Sequence, residues 1–191
     1  MSLFAYPAHR HIRTQTPGIY GDYTRYKPFL RIEFERRCVY CRLPEGARGK
    51  DAFGVDHYKP TSRFPELECV YSNLFYACNV CNRRKGSRWP TEEEWRNGIF
   101  IPNPCDHTMG QHLRDEGPRV KPLTVTGRYA VEALQLDDEE DVAYREDLLR
   151  NAAALIEQIA EGLKAAAALE DQLRSVRGFQ QVLIFLELKG L

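Results

Sequence analysis

The sequence predicts an α+β fold, a small cysteine-framed core containing a short strand, followed by a helical C-terminal region. Three observations lead there. Four cysteines fall in two Cys-x-x-Cys pairs, Cys38/Cys41 and Cys78/Cys81. Between them, a strand at about Ala52 to His57 follows a Gly- and Pro-punctuated loop. From Asp138 onward the composition turns to Ala, Leu and Glu with apolar residues at three- and four-residue steps, the period of a helix face. At 191 residues and 43% apolar content, the chain can bury a real core as one ordinary domain or two small ones.

Residues 1–28, rich in Pro, Gly, His and Tyr without a sustained apolar period, read as an arm. "FLRIEFERR", Phe29 to Arg37, has no Gly or Pro and reads as a short helix that ends at Cys38. Together with both cysteine pairs it makes the expected core, 29–90, in which "PEGARGKDAFG" is a loop. At Thr91 a threonine with Glu94 three residues on forms a capping box and starts another helix. Residues 91–137 otherwise read as loops and short strand. In 138–191, Leu148, Ala152, Leu155, Ile159, Leu163, Ala166, Leu169 and Leu173 line one face of a long helix, closed by Gly178 before a last apolar segment. That stripe serves intramolecular packing or the docking of a partner or second copy.

No run approaches the roughly 20 apolar residues of a membrane helix, and no N-terminal leader pattern is present. The expectation is a cytoplasmic protein without membrane contact. In a reducing compartment, paired cysteines hold metal more often than they form disulfides. Cys69 and Cys105 remain as buried small hydrophobes. The net charge of zero conceals an asymmetry: residues 1–90 carry 16 Lys+Arg against 8 Asp+Glu, and residues 91–191 carry 11 against 19. A basic half suits contact with a polyanion, although ordinary solvated charge gives the same count.

Four thiolates in two close pairs are the ligand set of a closed tetrahedral Zn2+ site, Cys38, Cys41, Cys78 and Cys81, which holds a fold and has no open position for catalysis. A redox reading would need both pairs activated in a βαβ setting, which is not seen. The 36 residues between the pairs exceed the spacing of a compact zinc ribbon, so the insert carries something further.

That insert contains Asp56-His57 and Asn73, and Asn82 follows the last cysteine. "DH", "N" and "CNVCNRRK" in this order resemble the HNH endonucleases, in the branch where zinc knuckles frame a ββα-metal motif. The resemblance covers about residues 30–90. "VDHYKPTSRFPELECVYSNLFYACNVCNRRKGSRWP" with "NPCDHTMGQHL" is further similar to prokaryotic stand-alone HNH proteins, some of which act with an ATPase partner in anti-phage defence, as in the Septu system. The resemblance implies a DNA phosphodiester hydrolase. Asp56 and Asn82 would ligate a catalytic divalent cation, His57 would be the general base, and Asn73 would brace the loop that aims it. The third motif position is Asn82 in place of His, as in the branch of phage Holliday-junction resolving endonucleases. One carboxylate and one amide oxygen favour Mg2+ or Mn2+. Because adjacent strand residues face opposite ways, the strand is expected to end or bulge at Asp56-His57.

Arg83, Arg84, Lys85 and Arg88, with Lys59, are the expected phosphate contacts. The arm, through His9, Arg10, His11, Arg13, Tyr20, Tyr23 and Tyr26, offers either a second nucleic-acid contact or aromatic packing on the core. Cys105, His107 and His112 suggest a third metal site, but their spacing supports no ligand geometry. A competing function class is a non-catalytic zinc-dependent module that binds nucleic acid or protein; it would not need Asp56, His57 and Asn82 together.

Overall fold

Strand β1 (Phe53–His57) pairs antiparallel with β2 (Leu74–Cys78) in a register running from Phe53↔Cys78 to His57↔Leu74. This hairpin and the helix that follows it are the centre of the fold. The computed structural model describes residues 3–175 and 179–190, so Gly178, the expected end of the long helix, lies outside the described residues. The chain forms two compact units, Met1–Glu146 and Asp147–Leu191.

The first unit is built in layers around β2, every residue of which is buried. The arm lies along the core: Phe4 and Tyr6 are buried, the His11 amide donates to the Pro104 carbonyl (2.8 Å) and the Gly110 amide to that of Pro7 (3.0 Å). A 3-10 turn, Tyr23–Tyr26, capped by Asp22, leads into α1 (Lys27–Glu33), entered through Pro28, which the first helical turn tolerates. The helix starts and ends earlier than the sequence suggested. Glu35 and Arg36 adopt positive φ of 55° and 56°, which stops the helix and turns the chain into the first cysteine pair. The expected loop after Cys41 contains one short turn of helix, α2 (Glu45–Arg48), and a 3-10 turn, Lys50–Ala52.

Strand β1 ends at His57 without a bulge in its pairing. β2 runs directly into α3 (Asn79–Lys85), whose first turn is capped by the Cys78 sulfur, completing the ββα order. The capping box is present in both halves at α4 (Glu92–Arg96): Thr91 Oγ1 accepts from the Glu94 amide (3.2 Å), and Glu94 Oε2 from the Thr91 amide (2.7 Å). Beyond it, α5 (Met109–His112) feeds a small hairpin of β3 (Leu113–Glu116) and β4 (Arg119–Pro122).

Helix α6 (Val125–Leu134) was not legible in the sequence, which suggested only loop and strand here. Its first turns hold Val125, Thr126 and Gly127, all poor helix formers. Tertiary contact compensates. Thr124 caps it at the Gly127 amide (3.0 Å), and α6 approaches α5 so closely that a Cβ on Gly127 would stand 1.9 Å from the His112 carbonyl oxygen. Only glycine permits that approach.

Helix α7 (Glu139–Ser175) begins within the first unit. There Arg145, 4% exposed, donates to the carbonyls of Pro118 and Leu136, and Tyr144 to that of Ala47. In the second unit, α7 continues and α8 (Phe179–Lys189) follows. Leu155, Ile159, Leu163 and Leu169 of the expected stripe are exposed. Cys69 and Cys105 are half-buried, not the fully buried pair expected. No helix among the described residues is long and apolar enough to cross a membrane.

Candidate active site

The two cysteine pairs converge. Cys38 and Cys41 lie in the turn after α1, where Arg42 at φ 59° lets its amide reach the Cys38 carbonyl; Cys78 closes β2 and Cys81 lies on α3. Their four Sγ atoms all fall within 4.8 Å of one another, with Cys41 and Cys78 at 3.9 Å. Thiolates held about 2.3 Å from a central zinc stand about 3.8 Å apart, so the donor set is compatible with Zn2+. The Cys81 amide points at Cys78 Sγ (3.5 Å), a dipole that favours thiolate charge there.

Asp56, His57 and Asn82 line one open cleft of about 270 Å³ together with Pro60, Ser62 and Gly86. Asp56 is 2% exposed. Its Oδ2 accepts from the Tyr40 hydroxyl (2.5 Å) and its Oδ1 meets the Lys85 ammonium (3.1 Å). Burial, then the Asp56 charge, pushes the Tyr40 phenol well above its usual pKa, so Tyr40 stays a donor. His57 Nε2 lies 2.9 Å from the Glu68 carbonyl. A carbonyl only accepts, so Nε2 carries the hydrogen and Nδ1 is the basic nitrogen. Tyr23 sets its ring edge against His57, centroids 4.6 Å apart. Asn82 donates through Nδ2 to the Val55 carbonyl (3.2 Å); its Oδ1 has no protein partner among the described residues.

Asn73, 6% exposed, holds the loop after His57 from both sides: its Oδ1 accepts from the Lys59 amide (2.8 Å), and its Nδ2 donates to the carbonyls of Lys59 (3.1 Å) and Leu67 (3.3 Å). The 16-residue excursion from 58 to 73 is thus pinned at its base.

The basic run divides. Lys85 departs from the expected role as a phosphate contact: it is 2% exposed, and its ammonium bridges Asp56 Oδ1 and the His57 carbonyl (2.6 Å). Helical geometry turns its side chain inward, beneath β1. Arg84 is committed to Asp141 and to the carbonyls ending α6, and Arg88 folds back on the carbonyls of Arg84 and Lys85. Arg83 is exposed and has no partner among the described residues. Lys59 is half-buried over the rings of Phe64 (5.5 Å) and Trp89 (5.7 Å).

The arm packs on the core through its aromatic residues. Tyr26 is buried and Tyr20 packs on it, while His11, Thr14, Gln15 and Tyr71 converge on the buried carboxylate of Glu33. Cys105, His107 and His112 form no metal-binding group among the described residues; His112 Nδ1 pairs with Thr124 (2.8 Å). Sequence reasoning missed Tyr40 and Lys85 as partners of Asp56. The signal for Tyr40 was its place inside the first knuckle, "CVYC", where any inward-facing residue must point at the hairpin that the knuckle clamps.

Comparison with known proteins agrees with this geometry. The family model of the HNH endonucleases matches residues 38–88. The Septu protein PtuB of Bacillus thuringiensis is 27% identical over 124 residues, covering 62% of this chain and 45% of that protein. The match therefore spans less than half of the relative's length. The ββα hairpin, the four-sulfur cluster and the ordered Asp56, His57, Asn73 and Asn82 all lie inside the matched span, so residues 38–88 are similar to the HNH endonuclease family in fold and in the order of these side chains.

Proposed function

We propose that this chain is a divalent-metal-dependent endonuclease that hydrolyses DNA phosphodiester bonds as an effector of anti-phage defence. The observation that carries the reading is the convergence of Asp56, His57 and Asn82 on one open cleft with His57 Nδ1 left as the proton acceptor. His57, held at Nε2 by the Glu68 carbonyl, takes a proton from water at Nδ1; the water oxygen attacks phosphorus and the P–O bond to the leaving strand breaks. The Asn82 Oδ1 and the remaining lone pairs of the Asp56 carboxylate are the donors that would hold Mg2+ or Mn2+. When bound, that cation supplies positive charge to the phosphate and leaving oxygen. Lys85 holds the carboxylate in position from the buried side while the cleft is open to water. In line with the resemblance to a Septu protein, the chain is read as working with an ATPase partner, for which the exposed Leu155–Leu169 face is a candidate surface; co-purification from the native host tests it.

A second reading, a zinc-dependent module that binds without cutting, draws on one observation: Tyr40 and Lys85 already satisfy Asp56. Plasmid relaxation in Mg2+ or Mn2+, using both the isolated chain and the chain recovered with its native-host partners, separates the two. His57→Ala is expected to lower cutting by roughly two to four orders of magnitude with zinc content and melting temperature unchanged. DNA binding without cutting in either preparation would favour the binding module.

A further inference from the structure

A cleft of about 780 Å³ on the first unit is separate from the one that holds His57. The two tryptophans of the chain, Trp89 and Trp95, both line it, and Trp95 is left 41% exposed, a large aromatic area to leave against water. The rings are braced from behind. Trp95 stacks on Phe100 (4.3 Å, 18°), Trp89 meets Trp95 at 6.0 Å, and Tyr58 and Phe64 set their edges against Trp89 at 5.5 and 5.2 Å. Tyr58 is locked in turn, its hydroxyl donating to the Ile101 carbonyl (2.8 Å). The result is a rigid, partly exposed aromatic wall, the kind of surface on which a planar π-system stacks with little ordering cost.

The polar groups of the cleft have fixed roles. Asn103 donates to Asp106 Oδ2 (2.8 Å) and accepts from the Cys105 amide (2.9 Å). Asp106 is thereby oriented, and its Oδ1 has no protein partner among the described residues. A carboxylate accepts only, so it seeks a donor on the ligand's edge. Lys59, whose ammonium lies over the Trp89 ring, supplies the positive charge. The cleft is also mechanically continuous with the proposed catalytic loop: Lys59 stands two residues beyond His57, and Asn73, which grips Lys59 by both backbone groups, lines the cleft as well.

We propose that this aromatic cleft seats an unpaired nucleobase bearing an amino group, from the same strand whose phosphodiester is presented to His57. The inference rests on the nuclease reading and narrows its substrate to nucleic acid with single-stranded, flipped or branched character. Stacking on Trp95 and Trp89 supplies affinity, Lys59 meets the adjoining phosphate, and Asp106 accepts from the exocyclic amino group of cytosine, adenine or guanine, whereas thymine offers only its N3–H, flanked by two carbonyl oxygens that repel a carboxylate. A fully paired duplex, its bases already stacked, gains nothing from the site.

Because both tryptophans are in the cleft, their fluorescence reports occupancy directly, without cleavage. The full-length His57→Ala protein is titrated with short single-stranded oligo-dC, with oligo-dT, and with a mixed-sequence duplex of equal length, binding being followed in parallel by anisotropy of labelled DNA. Oligo-dC is expected to quench the fluorescence and to bind more tightly than oligo-dT, while the duplex binds without quenching. Trp95→Ala should weaken oligo-dC binding about tenfold, in line with the loss of one stacked base. Asp106→Asn, a change on the surface, should erase the preference of dC over dT, and it tests the cleft even if Trp95→Ala fails to fold. DNA binding with no quenching, no dC preference and no effect of either substitution overturns the proposal, as does quenching only by a protein partner. Plasmid cutting by the parent protein is scored separately. Cutting with an unresponsive cleft leaves the nuclease reading standing and removes this one, whereas a responsive cleft without cutting shows the nuclease reading to be at fault.

Discussion

Lys85 shows how one side chain's direction changes its chemistry. It sits in a run of four basic residues within seven positions that reads as a phosphate-binding face, yet its ammonium is buried against Asp56. Removing one member of a buried pair strands the other's charge, typically at a cost of about 3–5 kcal/mol. Lys85→Ala is therefore expected to lower the melting temperature sharply, and Arg83→Ala, on an exposed residue without a partner among the described residues, to leave it unchanged while weakening DNA binding and its salt dependence. Thermal melts of both variants beside a salt titration of DNA affinity check this; an Arg83→Ala protein that melts early would contradict it. The same pair makes Asp56→Ala an unclean test of metal binding, since Lys85 would be left uncompensated, and Asn82→Ala the better one. None of this was legible in the sequence. The acidic-His pair and both asparagines could be named from their order, but the partner of Asp56 lies 29 residues away and only the packing of α3 beneath β1 selects Lys85 from its neighbours.

Among the elements, several segments of the arm converge on one buried carboxylate, Glu33. Burial opposes ionisation of Glu33, but hydrogen bonds from the Thr14 and Gln15 amides, His11 and Tyr71 outweigh it and hold its pKa below the usual 4.5. A carboxyl depressed in the folded state contributes stability that is complete above its unfolded pKa and is lost as pH falls through the lower folded value. The arm should thus stay docked at neutral pH and release only in acid, below about pH 4.5. Release would also withdraw Tyr23 from His57. Limited proteolysis of residues 1–26 across that range measures it: the parent protein should become susceptible only on acidification, and Glu33→Gln already at pH 7. If both resist equally, the clasp is not what holds the arm. Arm residues looked unstructured in the sequence because their order comes from a helix that they touch, not from any period of their own.

For the molecule as a whole, the four-cysteine cluster ties the frame to the proposed catalytic site through Tyr40, which the first knuckle carries and which donates to Asp56. Four converging thiolates make metal binding part of the folding free energy. Chelation under reducing conditions is expected to lower the melting temperature and loosen the hairpin together, where Cys81→Ser should do the same without chelator; a metal-free protein that melts like the parent would exclude a structural zinc. The sequence alone determined the features written in local spacing and order: the two Cys-x-x-Cys pairs, the strand ending at His57, the Thr91–Glu94 cap and the long C-terminal helix. Each depends on neighbours within a few positions, or on ligands whose order along the chain is itself the signal. Only the tertiary structure decided that α6 is a helix despite its poor formers, that Lys85 points inward, that Tyr23 rests on His57 and that both tryptophans open onto one cleft. Those outcomes depend on which surfaces meet across tens of residues, where burial, close approach and the pairing of charge override what the local chain prefers.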